Sequence, residues 1–402
     1  MKNIIIFFSS SVVGKLFPFF LIPVLTGQLS TAEYGLWALF IAIVSFIDPV
    51  ISCSAHTYLA KKYFHVSSLE KDKIIVNIIY LFMFNFIFTF SLSLIFYFFD
   101  LFSDGIFVFI PILCFLNSFI ALKLLILRNE NNLKLFSIIE ISKIALSFSL
   151  SIVFIFYTNL SWIGCVYGFL IGTLLVSIIS IYKLLNFEKL VSLFEISKLQ
   201  KIYALSLPLL PVGIANVTNH AADKLIIVNM MGKDSLGLYA IGYSFAQLLS
   251  LVTISCIKYW SPICYKKKDI QSMFNFIAKS CQIYVVAIIP LLMISYYVIN
   301  FFLFERMVDP KFYMGKEIIL VVMIALAIQG LYFFSIPFYI RTNRTKALSL
   351  FTTLSAMINV ILNIILIPIY GISGAAIATL ISYLFLTTTG HFLNVRYIKK
   401  IA

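Results

Sequence analysis

The chain has 402 residues, of which 62% are hydrophobic and only 11% charged, with a formal net charge of +14. A water-soluble fold has too little interior to hide that much apolar surface, so the composition excludes one and calls for a bilayer. Six cysteines without C-x-x-C spacing and four histidines without H-E-x-x-H spacing exclude a disulfide framework and any recognisable metal site.

A spanning helix needs roughly 20 apolar residues. Apolar runs bounded by charge or by Gly and Pro predict twelve of them: 5–26, 36–58, 74–97, 106–127, 135–157, 162–185, 204–230, 237–259, 277–300, 317–340, 347–368 and 372–395. The first is preceded by Lys2 but is not expected to be a cleaved leader. Lys15 interrupts it, Pro18 and Pro23 lie within it, and no A-x-A site follows. Connections on one side carry Lys61, Lys62, Lys71, Lys73, Arg128, Lys134, the middle lysines 183, 189, 198 and 201, Lys266 to Lys268, Arg341, Arg344 and Lys346. Those on the other side hold only Lys233, Arg306, Lys311 and Lys316. Such a bias places both termini in the cytoplasm. The net positive charge then reflects topology and not a nucleic-acid surface.

Gly35-Leu36-Trp37-Ala38 recurs as Gly237-Leu238-Tyr239-Ala240, at the openings of spans 2 and 8. The expected fold is all-α: a polytopic membrane protein of about twelve transmembrane helices in two six-helix bundles, residues 1–185 and 204–402. Segment 186–203, with Phe187, Leu190, Val191 and Phe194 against Glu188, Lys189, Glu195 and Lys198, is expected as an amphipathic cytoplasmic linker. Parallel six-helix repeats are an architecture of transporters, with the substrate path between the halves.

Charge at membrane depth needs a partner or a wet cavity. Lys15 in span 1 and Asp48 in span 2 both reach the midplane, and Glu140 and Lys143 share one face of span 5. In span 7, Asn216, His220 and Asp223 form a polar stripe, while Pro208, Pro211 and Gly213 weaken the same helix as a hinge. Lys224 points about 100° away from Asp223, as an anchor at the outer interface. Asn117, Gln247, Gln329 and Asn359 sit near mid-depth. The functional expectation is a substrate cavity lined by Lys15, Lys143 and these four amides. Ion coupling or gating then falls to Asp48, Glu140, His220 and Asp223. The structural alternative is a set of buried ion pairs and interhelical hydrogen bonds.

No G-x-x-x-x-G-K-[ST] loop occurs, so ATP is not expected as the direct energy source. The longest outer connection, about residues 301–316, is short for an extracytoplasmic catalytic site. A non-enzyme is therefore favoured over a membrane polysaccharide polymerase or glycosyltransferase.

Pro23-Val24-Leu25-Thr26 leading to Leu29-Ser30-Thr31-Ala32-Glu33-Tyr34-Gly35-Leu36-Trp37 resembles the first hairpin of polysaccharide-unit flippases. Ser206-Leu207-Pro208, then Ala222-Asp223-Lys224-Leu225-Ile226-Ile227, Gly232 and Leu236 to Ala240, resembles the helix 7–8 region of the same family. The resemblance covers the whole chain in length, span count and loop pattern. It implies an O-antigen or related repeat-unit flippase of the MATE-like multidrug/oligosaccharidyl-lipid/polysaccharide exporter superfamily. Such a protein moves an undecaprenyl-pyrophosphate-linked oligosaccharide across the bacterial inner membrane by alternating access. Further implications are a proton or sodium gradient as driving force, no cofactor, contact with membrane lipids, and cooperation with a polysaccharide polymerase and chain-length machinery. Asp223 carries over as a helix 7 motif position and Lys15 as the cationic position of helix 1. This sequence departs from arginine-rich relatives in having no arginine within a span, and lysine offers pyrophosphate a point charge in place of a bidentate fork. The rival within the superfamily is a multidrug exporter for cations.

Overall fold

The computed structural model describes residues 19–99, 104–158, 160–182, 187–267 and 269–401. Lys15 and most of the first predicted span lie outside them. Hydrocarbon offers no water to backbone N–H and C=O groups, so a spanning chain satisfies them within itself as helix. Among the described residues there is no strand.

In chain order the helices are α1 Ile22–Gln28, α2 Thr31–Ser52, α3 Ala55–Lys62, α4 Ser68–Phe98, α5 Ile110–Asn129, α6 Leu133–Tyr157 and α7 Ser161–Ile181. There follow α8 Phe187–Ser192, α9 Ile196–Ser206, α10 Leu210–Tyr265, α11 Ile270–Val298, α12 Phe304–Met307, α13 Ile319–Arg341, α14 Thr345–Tyr370 and α15 Ile372–Ile401. Among the described residues, ten helical stretches are long and apolar enough to cross a membrane. One of them holds two predicted spans, because α10 turns at Gly232, with φ 85° and ψ 178°. That backbone region is essentially open to glycine alone. Eleven of the twelve predicted spans therefore stand as helices among the described residues, and the chain is a multi-pass, all-helical membrane protein.

Two boundaries differ from expectation for local reasons. Span 2, expected at 36–58, runs from Thr31 to Ser52. Its start is set by a capping box: the Ser30 backbone N–H donates to Glu33 Oε2 at 2.7 Å and the Glu33 N–H donates to Ser30 Oγ at 3.2 Å. Its end is set by Cys53 and Ser54, both at positive φ, just beyond Pro49. The expected loop between spans 7 and 8 shrinks to the single turn at Gly232.

The described chain packs into two compact units. Leu39–Ile214 forms the first, together with the described residues before Leu25. Ile74, Ile78, Leu81 and Phe82 of α4 are buried there with Phe119, Leu122 and Ile126 of α5 and Leu199 and Ile202 of α9. Helices α6 and α7 meet through small residues. A Cβ on Gly168 would overlap the Ser151 backbone, and one on Gly172 would lie 2.5 Å from Ser147 Cα. Ser151 Oγ bonds Ser147 O at 2.8 Å and Cys165 O at 3.1 Å across this contact. The linker segment is docked on the same unit. Lys73 donates to Glu195 at 2.5 Å, Lys198 pairs with Glu70, and Asn77 bonds the Leu193 carbonyl.

The second unit comprises Leu25–Ala38 and Ala215–Ala402. Helix α2 therefore contributes its first turns to this unit and the rest to the first. The two copies of the repeat pack on each other here. A Cβ on Gly35 would strike the carbonyl oxygen of Lys233, one turn before Gly237. A Cβ on Gly237 would strike that of Thr31, one turn before Gly35. Thr31 Oγ1 also donates to Asp234, and Tyr34 meets Phe312 edge-on at 5.5 Å. The change of unit at Ile214 follows directly on Pro208, Pro211 and Gly213, where a 3-10 turn at Leu207–Leu209 precedes α10.

Two outcomes test this packing. Gly168→Leu forces α6 and α7 apart and is expected to remove about 1–3 kcal/mol or more of stability. It should appear as lost folded protein in a detergent melting assay, whereas Gly27→Ala, with nothing within 4 Å of the added Cβ, should melt as wild type. The hydrogen bond from Lys73 holds the Glu195 carboxyl below the usual carboxylate range. A depressed acid contributes stability above its unfolded pKa of about 4.3 and loses it as pH falls through the lower folded value. Hydrogen exchange of 196–206, corrected for its intrinsic pH dependence, should thus show constant protection at neutral pH and lose it only below about pH 4.3. Glu195→Gln should lower that protection throughout the neutral range.

Candidate functional site

The polar side chains that α10 carries into the second unit are ordered into one connected core. His220 Nδ1 lies 2.9 Å from Tyr383 Oη, and His220 Nε2 lies 3.1 Å from Gln329 Nε2. An amide nitrogen only donates, so Nε2 is the acceptor and the ring is the neutral Nδ1–H tautomer. Nδ1–H donates to Tyr383, whose hydroxyl donates to the Asn219 carbonyl at 3.0 Å. Ser355 Oγ shares its proton between Asn219 Oδ1 at 3.2 Å and the Ser382 carbonyl at 2.9 Å, and the Asn359 amide donates to Ser382 Oγ at 3.3 Å. Asn363 donates to Asn359 O at 2.8 Å and keeps a buried, unpartnered Oδ1. The Gln329 amide thus covers His220 Nε2 inside this core.

Asp223 is 2% exposed, and both its oxygens are engaged. Oδ1 accepts the Lys224 backbone N–H at 2.8 Å, and Oδ2 accepts the Tyr239 hydroxyl. Tyr239 is the aromatic residue of the second repeat copy, so the motif that marks span 8 also clamps the acid of span 7.

The first unit holds a looser cluster. Asp48 of α2 and Lys143 of α6 are close enough to interact electrostatically, without a direct ion pair among the described residues. Cys114 of α5 lies beside both and donates to Val44 O, one turn before Asp48, at 3.5 Å. Glu140, one turn before Lys143, adds its charge to the same group. Asn117, on the face of Cys114, has a buried Oδ1 without a hydrogen bond. The end of α2 next to Asp48 is held by Asn85, which donates to Val50 O at 3.2 Å and Ile51 O at 3.1 Å and accepts from Tyr203 of α9 at 2.7 Å. Acid and base set apart in this way can each bind an ion or an opposite charge, which a closed pair cannot.

The structure thus brings Asp48, Glu140 and Lys143 within electrostatic reach of one another. Lys15 lies outside the described residues. Gln329 and Asn359 join His220 in the core of the second unit, whereas Gln247 and Asn216 are exposed. The buried asparagine of that helix is Asn219, 4% exposed. Pro208 and Pro211 are exposed and Gly213 is half-buried, so placed that a Cβ on it would lie 3.5 Å from Pro49. The sequence singles out Tyr239 only as part of the repeat, and Asn219, Tyr383, Ser355 and Ser382 not at all, because neutral polar side chains in apolar runs give no charge signal. Among the described residues no group of three His, Cys, Asp or Glu side chains is arranged to hold a metal ion.

Tyr239→Phe leaves a buried carboxylate one donor short and is expected to destabilise by about 1–3 kcal/mol, seen as a lower melting temperature in detergent. The isosteric Asp223→Asn combined with Tyr239→Phe should recover part of that loss; a full additive loss would show that the two side chains are not coupled.

Solved structures share this fold. An inward-facing multidrug resistance MATE family transporter of the MOP superfamily aligns with a TM-score of 0.74 at 11% identity, covering 96% of each chain. The lipid II flippase MurJ in an inward closed conformation gives 0.70 at 21% identity, over 96% of this chain and 87% of that one. A Vibrio cholerae MATE transporter, VcmN, gives 0.61 at 14% identity over 99% and 97%. No curated protein matches by sequence. A family model described as polysaccharide biosynthesis protein matches residues 24–307, from the end of span 1 to beyond span 9. With most of its length so matched, the chain belongs to the polysaccharide biosynthesis protein family.

Proposed function

We propose that this protein is a flippase that moves an undecaprenyl-pyrophosphate-linked oligosaccharide, an O-antigen or similar repeat unit, from the cytoplasmic to the periplasmic leaflet. The observation that carries the reading is the conjunction of two findings. The chain is of a polysaccharide biosynthesis family, and its fold is shared by a lipid II flippase and by MATE transporters. It works as a multi-pass protein of the bacterial inner membrane with both termini cytoplasmic, and it performs translocation, not bond chemistry.

The cycle is alternating access driven by a proton or sodium gradient. Lys15 and Lys143 attract the pyrophosphate or acidic sugars. Asp48, Glu140, His220 and Asp223 carry the coupling, with His220 opened to protonation by rotation of the Gln329 amide. Pro208, Pro211 and Gly213 supply the bend at the point where α10 leaves the first unit. The units delivered outside feed a polysaccharide polymerase and its chain-length machinery.

A second reading, export of cationic drugs, draws support from the fold shared with multidrug transporters and from the partly exposed Asp48. One pair of measurements separates them. Deletion is expected to abolish surface polysaccharide while lipid-linked units accumulate in the cytoplasmic leaflet, and to leave drug sensitivity unchanged. Unimpaired polysaccharide export together with drug hypersensitivity would replace the flippase reading by the exporter.

A further inference from the structure

From sequence alone Lys224 is an anchor that reaches the outer interface. In the folded chain its ammonium turns inward instead. Nζ donates to the His220 carbonyl oxygen at 3.0 Å and lies 4.5 Å from the centroid of the Tyr243 ring. The nearest acid oxygen, Asp223 Oδ1, is 4.0 Å away. An ammonium has three donors. Among the described residues only one of them meets an acceptor at hydrogen-bond distance.

The carboxylate next to it is differently placed. Asp223 Oδ1 already takes the Lys224 backbone N–H and Oδ2 takes Tyr239. The acid is held without the ammonium, and the ammonium is not consumed by the acid. Access separates the two groups further. The Lys224 side chain keeps 15% of its surface open, against 2% for Asp223. A ligand entering the second unit here meets the cation and not the anion. Charged side chains within spans almost always face the bundle interior or a water-filled cavity. The Tyr243 ring steadies the charge through its face without occupying an N–H donor. Two of the three donors are therefore without an acceptor at hydrogen-bond distance among the described residues.

We propose that Lys224 is an anion-binding residue of the second unit, gripping a phosphate of the lipid-linked substrate. The inference rests on the flippase reading and adds to it the cation that holds the head group. Phosphate is the chemistry that fits: a compact lysine charge pairs with it as a point charge. The same chemistry is offered by the pyrophosphate of a polyprenyl carrier and by the head group of a bulk anionic phospholipid, and the substrate is the assignment made.

The test uses the purified full-length protein in detergent micelles, with undecaprenyl pyrophosphate as probe, inorganic pyrophosphate as competitor and phosphatidylglycerol as the bulk-lipid control. Wild type should bind undecaprenyl pyrophosphate, lose it to inorganic pyrophosphate, and bind more weakly as salt rises. Lys224→Met should weaken binding at least tenfold, about 1.4 kcal/mol, while Lys224→Arg stays within about threefold. Should Lys224→Met lose its monodisperse profile, Lys224→Gln provides a neutral side chain that retains donors, with the same expected loss. Binding by the folded neutral variant equal to wild type overturns the proposal and leaves the flippase reading intact. Failure of wild type itself to bind the probe counts against that reading. Equally tight, equally Lys224-dependent binding of phosphatidylglycerol overturns the assignment to substrate.

Discussion

Hydrocarbon contains no water to satisfy a stranded polar group, and each feature of this molecule follows from that. The backbone answers by folding into helices whose bonds close within each span. Side chains answer by finding partners across spans, and the second unit shows how far this goes. From Gln329 through His220, Tyr383 and Asn219 to Ser355, Ser382 and Asn359, consecutive groups hand hydrogen bonds to one another inside a core that is otherwise apolar. Burial makes such a chain strong when complete and expensive when broken. The result is a unit with one preferred internal arrangement.

The first unit departs from that completeness where its charges lie. Asp48 and Lys143 are near enough to feel each other and are not joined. Cys114 and Asn117 add only weak or unmet polar groups beside them. Rigidity is supplied around this cluster and not within it. Asn85 fastens the end of α2, Tyr203 of α9 fastens Asn85, and Lys73 holds Glu195 at the start of α9. The charged group is thus framed by elements that are fastened to one another.

Hydropathy makes the spans legible, because a run of twenty apolar residues has few other uses in a protein. The repeat is legible too, and its meaning is not: Gly35 and Gly237 are recognisable as counterparts, yet only the folded chain reveals that each lies on the backbone of the other copy. The true start of α2 is written in the Ser30-x-x-Glu33 spacing but hidden behind the stronger apolar signal that begins at Leu36. Helical phase alone misplaces Lys224, since a side chain with four rotatable bonds bends toward an aromatic face and a carbonyl whatever the direction of its Cβ. Asn219 and Asn216 lie in the same apolar run, and which of them faces the core depends on neighbours far away in sequence, Thr352 and Ser355.

Gly232 carries a constraint of another sort. No atom stands within 4 Å of where its Cβ would be, so the space is empty and the barrier to a larger residue lies wholly in the handedness of the backbone. A mirror-image alanine, introduced by chemical ligation, would suit that joint while the natural L form would strain it. The corner between two membrane spans is thus fixed by chirality.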